Sequence, residues 1–109
     1  MEERFEFDGP EDLRDTVTHA LKRVIDPEVA LNIVDVGLVY AVKLAPDAAR
    51  VRMTMTSAAC PMADVIIEDV VAELQDALPG RPPVEVELVW APPWTSERLS
   101  ESARRFMGW

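Results

Sequence analysis

The sequence predicts an α/β fold of the α+β kind: a two-layer sandwich in which a small mixed three-stranded sheet carries helices mainly on one face. Three observations predict it. Residues 38–44, 51–56 and 84–90 alternate apolar and polar side chains with a period of two, the pattern of strands covered on one side. Residues 13–24 and 62–78 instead repeat apolar side chains at helical spacing. The second of these helices separates the second and third strands, and strand–helix–strand in that order suggests a crossover between parallel neighbours.

Taken in order, residues 1–8 show no periodicity and read as a flexible tail, with Phe5 and Phe7 available to pack. Residues 9–109 read as one domain, since a chain of 109 residues suits a single core without disulfide staples. Gly9 and Pro10 announce a helix whose first turn carries Glu11 and Asp12, where negative charge complements the helix dipole. Leu13, Val17, Ala20, Leu21 and Val24 form its apolar stripe. Pro27 disfavours helical geometry at Asp26, so the helix ends by Ile25. His19, the only histidine, falls opposite the stripe and reads as solvated.

Residues 26–37 mix carboxylates with Val, Ile and Leu and have no regular period. They read as an ordered loop that packs against something, and carboxylates tethered to packed backbone are well placed for a site. The first strand presents Leu38, Tyr40, Val42 and Leu44 on one face. Ala45-Pro46-Asp47-Ala48-Ala49 supplies a hairpin turn into the second strand. The long helix shows Met62, Ile66, Val70, Leu74 and Leu78, and Pro79-Gly80 ends it. After Trp90, Pro92 and Pro93 cannot continue a central strand. Trp94 in that turn is either a packing plug or a partner contact. Leu99, Ala103, Phe106 and Met107 mark a short C-terminal helix ahead of Gly108.

Composition excludes several functions. A net charge of -9 opposes phosphate-neutralising surfaces and anionic membranes, so neither nucleic acid nor membrane is an expected partner. The N-terminal residues lack a basic segment followed by an apolar run, and no window reaches a membrane span; the expectation is a cytoplasmic protein. One cysteine rules out an internal disulfide and a Cys-x-x-Cys redox pair. No glycine-rich phosphate loop and no paired-histidine metal motif is present.

What remains is Cys60, placed where the long helix begins, with Thr56 and Ser57 just before it and Pro61 at the first helical position. Unpaired N–H groups and a partial charge of roughly half an elementary charge at a helix start favour a thiolate. Cys60 is then a nucleophile, a metal ligand, or simply a small buried apolar side chain. A nucleophile would need a base, and His19 lies on the solvated face of another helix. Thiolate with the carboxylates of Asp26 and Glu28 is an iron-binding mixture, although one thiolate is short of the cysteine set that holds most clusters.

Four stretches carry a resemblance. Asp26-Pro27-Glu28, Asn32-Ile33-Val34-Asp35-Val36-Gly37-Leu38-Val39-Tyr40, Thr54-Met55-Thr56 with Cys60-Pro61, and Pro92-Pro93-Trp94-Thr95 stand in the order and spacing of the metal–sulfur cluster biosynthesis family. Those are the SufT-like and PaaD-like small domains, and the similarity spans about residues 13–108. The resemblance implies a small α/β sandwich and a non-enzymatic role in assembling, trafficking or inserting iron–sulfur clusters. The site it implies gathers Asp26, Glu28, Thr56, Ser57 and Cys60, with Cys60 nearest the metal. The implied cofactor is a labile iron–sulfur cluster or iron, bound transiently or absent in the isolated protein. The implied partners are client apoproteins and cluster-assembly proteins, and a cluster bridged by two copies of Cys60 requires a homodimer. Ala91 departs from the pattern, because many relatives place an acidic residue there. An adaptor that holds no metal is the alternative, and a thiol-dependent enzyme is a third reading.

Overall fold

The computed structural model describes residues 5–56 and 63–108. Among these residues the main sheet has four strands rather than three, each hydrogen-bonded to the next in the order given. These are β1 (Glu6–Asp8), β4 (Val39–Leu44), β5 (Ala49–Met53) and β6 (Val84–Leu88). β4 and β5 form the expected antiparallel hairpin. β5 and β6 are parallel neighbours joined through the long helix α3 (Ala63–Ala77), as the strand–helix–strand order suggested. The extra strand is β1, drawn from the segment read as a flexible tail, and it pairs in parallel with β4 from Glu6↔Ala41 to Asp8↔Lys43. Three residues are too few to display a period, and the edge of β4 supplies the order that the segment lacks by itself.

The first helix begins more tightly than the sequence suggests. A 3-10 turn over Glu11–Leu13 precedes α1 (Arg14–Lys22), and the N–H of Leu13 donates to the carbonyl of Pro10 at 3.0 Å. Val17, Ala20 and Leu21 of α1 and Ile66, Val70 and Leu74 of α3 are all buried, so the two apolar stripes face one core as their spacing predicts. That core is a single cluster that also takes in Val42, Val51 and Met53 from the sheet. Each such aliphatic side chain contributes about 1.5–3 kcal/mol by leaving water.

Residues 26–37 are more structured than a loop. A two-residue ladder joins β2 (Ile25–Asp26) to β3 (Leu31–Asn32), and one helical turn, α2 (Ile33–Val36), follows. Asn32 caps that turn. Its Oδ1 accepts from the N–H of Asp35 at 2.9 Å, and its Nδ2 donates to Asp35 Oδ2 at 2.6 Å. Gly37 ends it in a left-handed conformation with φ of 86°, and Leu38 N–H returns to the carbonyl of Ile33 at 3.0 Å.

A bulge between Val39 and Ala41 breaks the alternation of β4. Leu38, Val39 and Val42 are consequently buried, whereas Tyr40, placed on the apolar face by period two, is only half-buried. The short C-terminal helix α4 (Glu101–Met107) is capped by Ser100, whose Oγ accepts from the N–H of Ala103. Helices cover one face of the sheet. The opposite face carries Arg50 bridged to Glu85 at 3.1 Å and Arg52 bridged to Glu87 at 3.2 Å, all exposed.

Candidate functional site

Asp26 and Glu28 share one turn. The N–H of Glu28 donates to Asp26 Oδ1 at 2.9 Å, and Ala30 N–H donates to the Asp26 carbonyl at 2.8 Å. An aspartate followed by proline favours this geometry: the side chain captures an N–H two residues on, and Pro27 fixes the intervening φ. Ala30 closes the turn with a positive φ of 60°. The result is unusual for a carboxylate, because Asp26 is 1% exposed while Glu28 stands in solvent. No cation is bonded to Asp26 among the described residues. Burial is the main influence on its carboxyl and pushes it above the ordinary aspartate value. The Glu28 N–H opposes that rise, and the Glu28 charge adds to it.

Thr56 reaches the site region by another route. β5 stays buried past its last paired residue, through Met53, Thr54 and Met55, and the chain begins to surface at Thr56. Thr54 N–H donates to the carbonyl of Leu38 at 2.8 Å, which ties this strand end to the segment between α2 and β4. The Thr54 hydroxyl is fully buried and finds no hydrogen-bond partner among the described residues. Ser57 and Cys60, both expected in the site, lie outside the described residues.

The turn leads through β3 into α2, the strand end bonds to Leu38 just beyond it, and residues 94–100 hold α2 in place. Ser100 N–H donates to the carbonyl of Asp35 at 2.8 Å, Trp94 Nε1 to Val36 at 2.8 Å, and Arg98 Nε to Gly37 at 2.7 Å. Carbonyls at the end of a helix lack partners within it, and here three consecutive ones are satisfied by the C-terminal segment. Arg98 also lies over the ring of Tyr40, 4.1 Å from its centroid, and the Tyr40 hydroxyl donates to the carbonyl of Pro92. Trp94 is thus the packing plug of the two readings open to it, half-buried against the core.

A family model described as iron-sulfur cluster assembly protein matches residues 14–88, which run from the start of α1 to the end of β6. The chain belongs to the iron–sulfur cluster assembly family. It is 40% identical over 99 residues to the Fe-S protein maturation auxiliary factor YitW of Bacillus subtilis, a match covering 90% of this chain and 96% of that one. It is 42% identical over 86 residues to the Fe-S protein maturation auxiliary factor SufT of Staphylococcus aureus, covering 78% and 97%. A crystal structure of a domain of unknown function from Bacillus anthracis superposes with a TM-score of 0.83 at 41% identity, covering 90% and 93%.

Membership of the iron–sulfur cluster assembly family bears out the resemblance read from the four motifs. Of the residues which that resemblance implied, the structure brings Asp26 and Glu28 together in one turn and leaves Thr56 apart from them, past the end of β5. No hydrogen bond joins Thr56 to the acidic turn among the described residues. Sequence reasoning missed the buried hydroxyl of Thr54, although the residue stands in one of the motifs. It also missed Arg98, which on its own reads as one more solvated cation. No helix among the described residues is long and apolar enough to cross a membrane.

Proposed function

We propose that this chain is a non-enzymatic maturation factor that holds iron or an iron–sulfur cluster as transient cargo and passes it to client apoproteins. One observation carries the reading: the buried Asp26 carboxyl, fixed in a turn with no bonded cation among the described residues. A buried carboxylate without a positive partner is costly, and such groups gather where a protein is built to meet a charge. Hard oxygen donors suit ferrous iron, so Asp26 and Glu28 fit the cargo as ligands or as groups that orient it. Cys60 supplies the metal-proximal thiolate in this reading, and Thr56 and Ser57 hydrogen-bond to its sulfur.

The family and the names of the two maturation-factor relatives support the same role. One thiolate is short of the full set that retains most clusters, which suits cargo that must leave and would let a client cysteine, or a second copy of Cys60, complete the set. The function so described is binding and transfer without catalysis, with iron–sulfur clients and cluster-assembly proteins as partners.

Anaerobic reconstitution with ferrous iron and sulfide tests the reading, followed by absorption and Mössbauer spectra for the wild type, Cys60→Ser and Asp26→Asn. A cluster or iron signal that is lost in Cys60→Ser and weakened in Asp26→Asn is the expected result. No bound iron in the wild type would replace this reading with an adaptor that brings clients to a cluster held elsewhere.

A further inference from the structure

The last strand of the sheet is open along one side. Among the described residues β6 pairs with β5 alone. Two bonds fix its phase: Ala49 N–H donates to the carbonyl of Pro83, and Val89 N–H donates to that of Met53, both at 2.8 Å. Successive residues of a strand point their backbone groups to opposite sides. Glu85 and Glu87 therefore bond to β5, while the N–H and C=O groups of Val84, Val86 and Leu88 face the free edge. None of those edge groups has a hydrogen-bond partner among the described residues. Their side chains lie on the core face yet are only half-buried, because the core ends beside them.

Edges of this kind are normally blunted by proline, a bulge, a covering element or charged side chains, and the glutamates of β6 guard it against acidic strands only. Here Pro82 and Pro83 guard only the approach, and the five residues of β6 stay regular.

We propose that this edge docks an extended segment of a partner protein in which apolar and basic residues alternate. The backbone row demands a strand. The outward row, Glu85 and Glu87, selects its charge: a Lys or Arg opposite each would extend Arg50–Glu85 and Arg52–Glu87 into rows of alternating sign. Apolar residues at the intervening positions would cover the open flanks of Val84, Val86 and Leu88. A second copy of this chain does not fit. Antiparallel pairing of β6 with itself over more than one residue, kept in phase with the core face, sets at least one glutamate against a glutamate.

The edge ends beside Met53, from which the chain runs through Thr54 and Thr56 toward Cys60. A docked segment would pass the end of the sheet from which the candidate site departs. That the segment belongs to an iron–sulfur client rests on the function proposed above; the docking itself does not.

The test uses iron-free protein, so its outcome is independent of whether a cluster can be reconstituted. A short capped peptide of alternating valine and lysine is titrated into isotopically labelled protein, beside a valine–glutamine peptide, with backbone NMR shifts and amide exchange as readouts. Slowed exchange at Val84, Val86 and Leu88 is expected, with the lysine peptide binding about tenfold more tightly than the glutamine one. Glu85→Gln with Glu87→Gln should abolish that preference. Val86→Pro should abolish binding of both peptides while the fold, checked by circular dichroism, persists, because the Val86 N–H takes no part in the ladder with β5. Shifts elsewhere, equal affinity of the wild type for both peptides, or concentration-dependent protection of these amides without peptide would each overturn the proposal.

Discussion

Arg98 closes on Gly37 from two directions. Its Nε donates to the Gly37 carbonyl at 2.7 Å, and its own backbone and Cβ fill the space beside the Gly37 Cα. A Cβ built on Gly37 would lie 2.7 Å from the Cβ of Arg98 and closer still to its carbonyl oxygen, with φ already at 86°. Both faults fall on backbone that cannot yield, since it is clasped by residues 94–100. Gly37→Ala should therefore cost roughly 2–4 kcal/mol, above the penalty for a left-handed alanine alone. Chemical denaturation read by circular dichroism measures it, and a cost within a few tenths of a kcal/mol would mean that the clasp is looser than these contacts imply.

Trp94 separates the bond from the bulk in the same clasp. Trp94→Phe keeps an aromatic body against the core but leaves the Val36 carbonyl without its donor at 2.8 Å. The expected loss is about 1–2 kcal/mol, the cost of one part-buried acceptor left unmet. Trp94→Ala removes ring and bond together and should cost more, about 3 kcal/mol. Equal losses in the two variants, by thermal or denaturant unfolding, would show that packing contributes nothing beyond the bond.

The parts of this fold that were legible in the sequence are those that repeat. α1 and α3 announced themselves through stripes that the structure buries wherever it describes them, Leu13 at the leading end being only half-buried, and β4 to β6 through alternation. β1 was hidden because Glu6, Phe7 and Asp8 are ordered by a neighbour and not by their own pattern. The bulge at Tyr40 was hidden because one inserted residue shifts the phase of a strand without changing its composition. In the site, Asp-Pro-Glu marked the acidic turn, since its geometry is local. The clasp could not be read, because Arg98 and Gly37 stand 61 residues apart. The burial of Asp26, and of the Thr54 hydroxyl, is likewise a product of packing that no local pattern records.

Asp26 makes stability depend on pH in the less common direction for an aspartate. Its carboxyl is held above the ordinary value chiefly by burial. The folded state thus keeps its proton at pH values where the unfolded chain has released it, and folding is favoured by acid across that interval. As pH rises from the ordinary aspartate value through the raised one, this contribution is lost. Asp26→Asn keeps an oxygen for the Glu28 N–H and carries no charge, so it lacks that loss. The variant should gain stability relative to wild type as pH rises through the window and hold the gain above it. Denaturant unfolding across a pH series checks this, and a difference that does not change with pH would show that the carboxyl is not perturbed in the fold.

Thr54 yields a prediction of opposite sign from the usual core substitution. Its hydroxyl is buried, and no partner meets it among the described residues. Valine has nearly the same shape and removes a polar group whose desolvation is not repaid. Thr54→Val should therefore stabilise the iron-free protein by about 1 kcal/mol, seen as a raised denaturation midpoint with an unchanged slope. The backbone bond from Thr54 to Leu38 is untouched, so the strand end keeps its place. A natural sequence that retains such a hydroxyl against a simple gain in stability points to a use for it, and the function proposed above would put its cargo near the strand end that leads toward Cys60. The stabilised variant should accordingly transfer iron or cluster to an apoprotein client less well than the wild type. Improved stability with undiminished transfer would separate Thr54 from the site and leave its hydroxyl a purely structural cost.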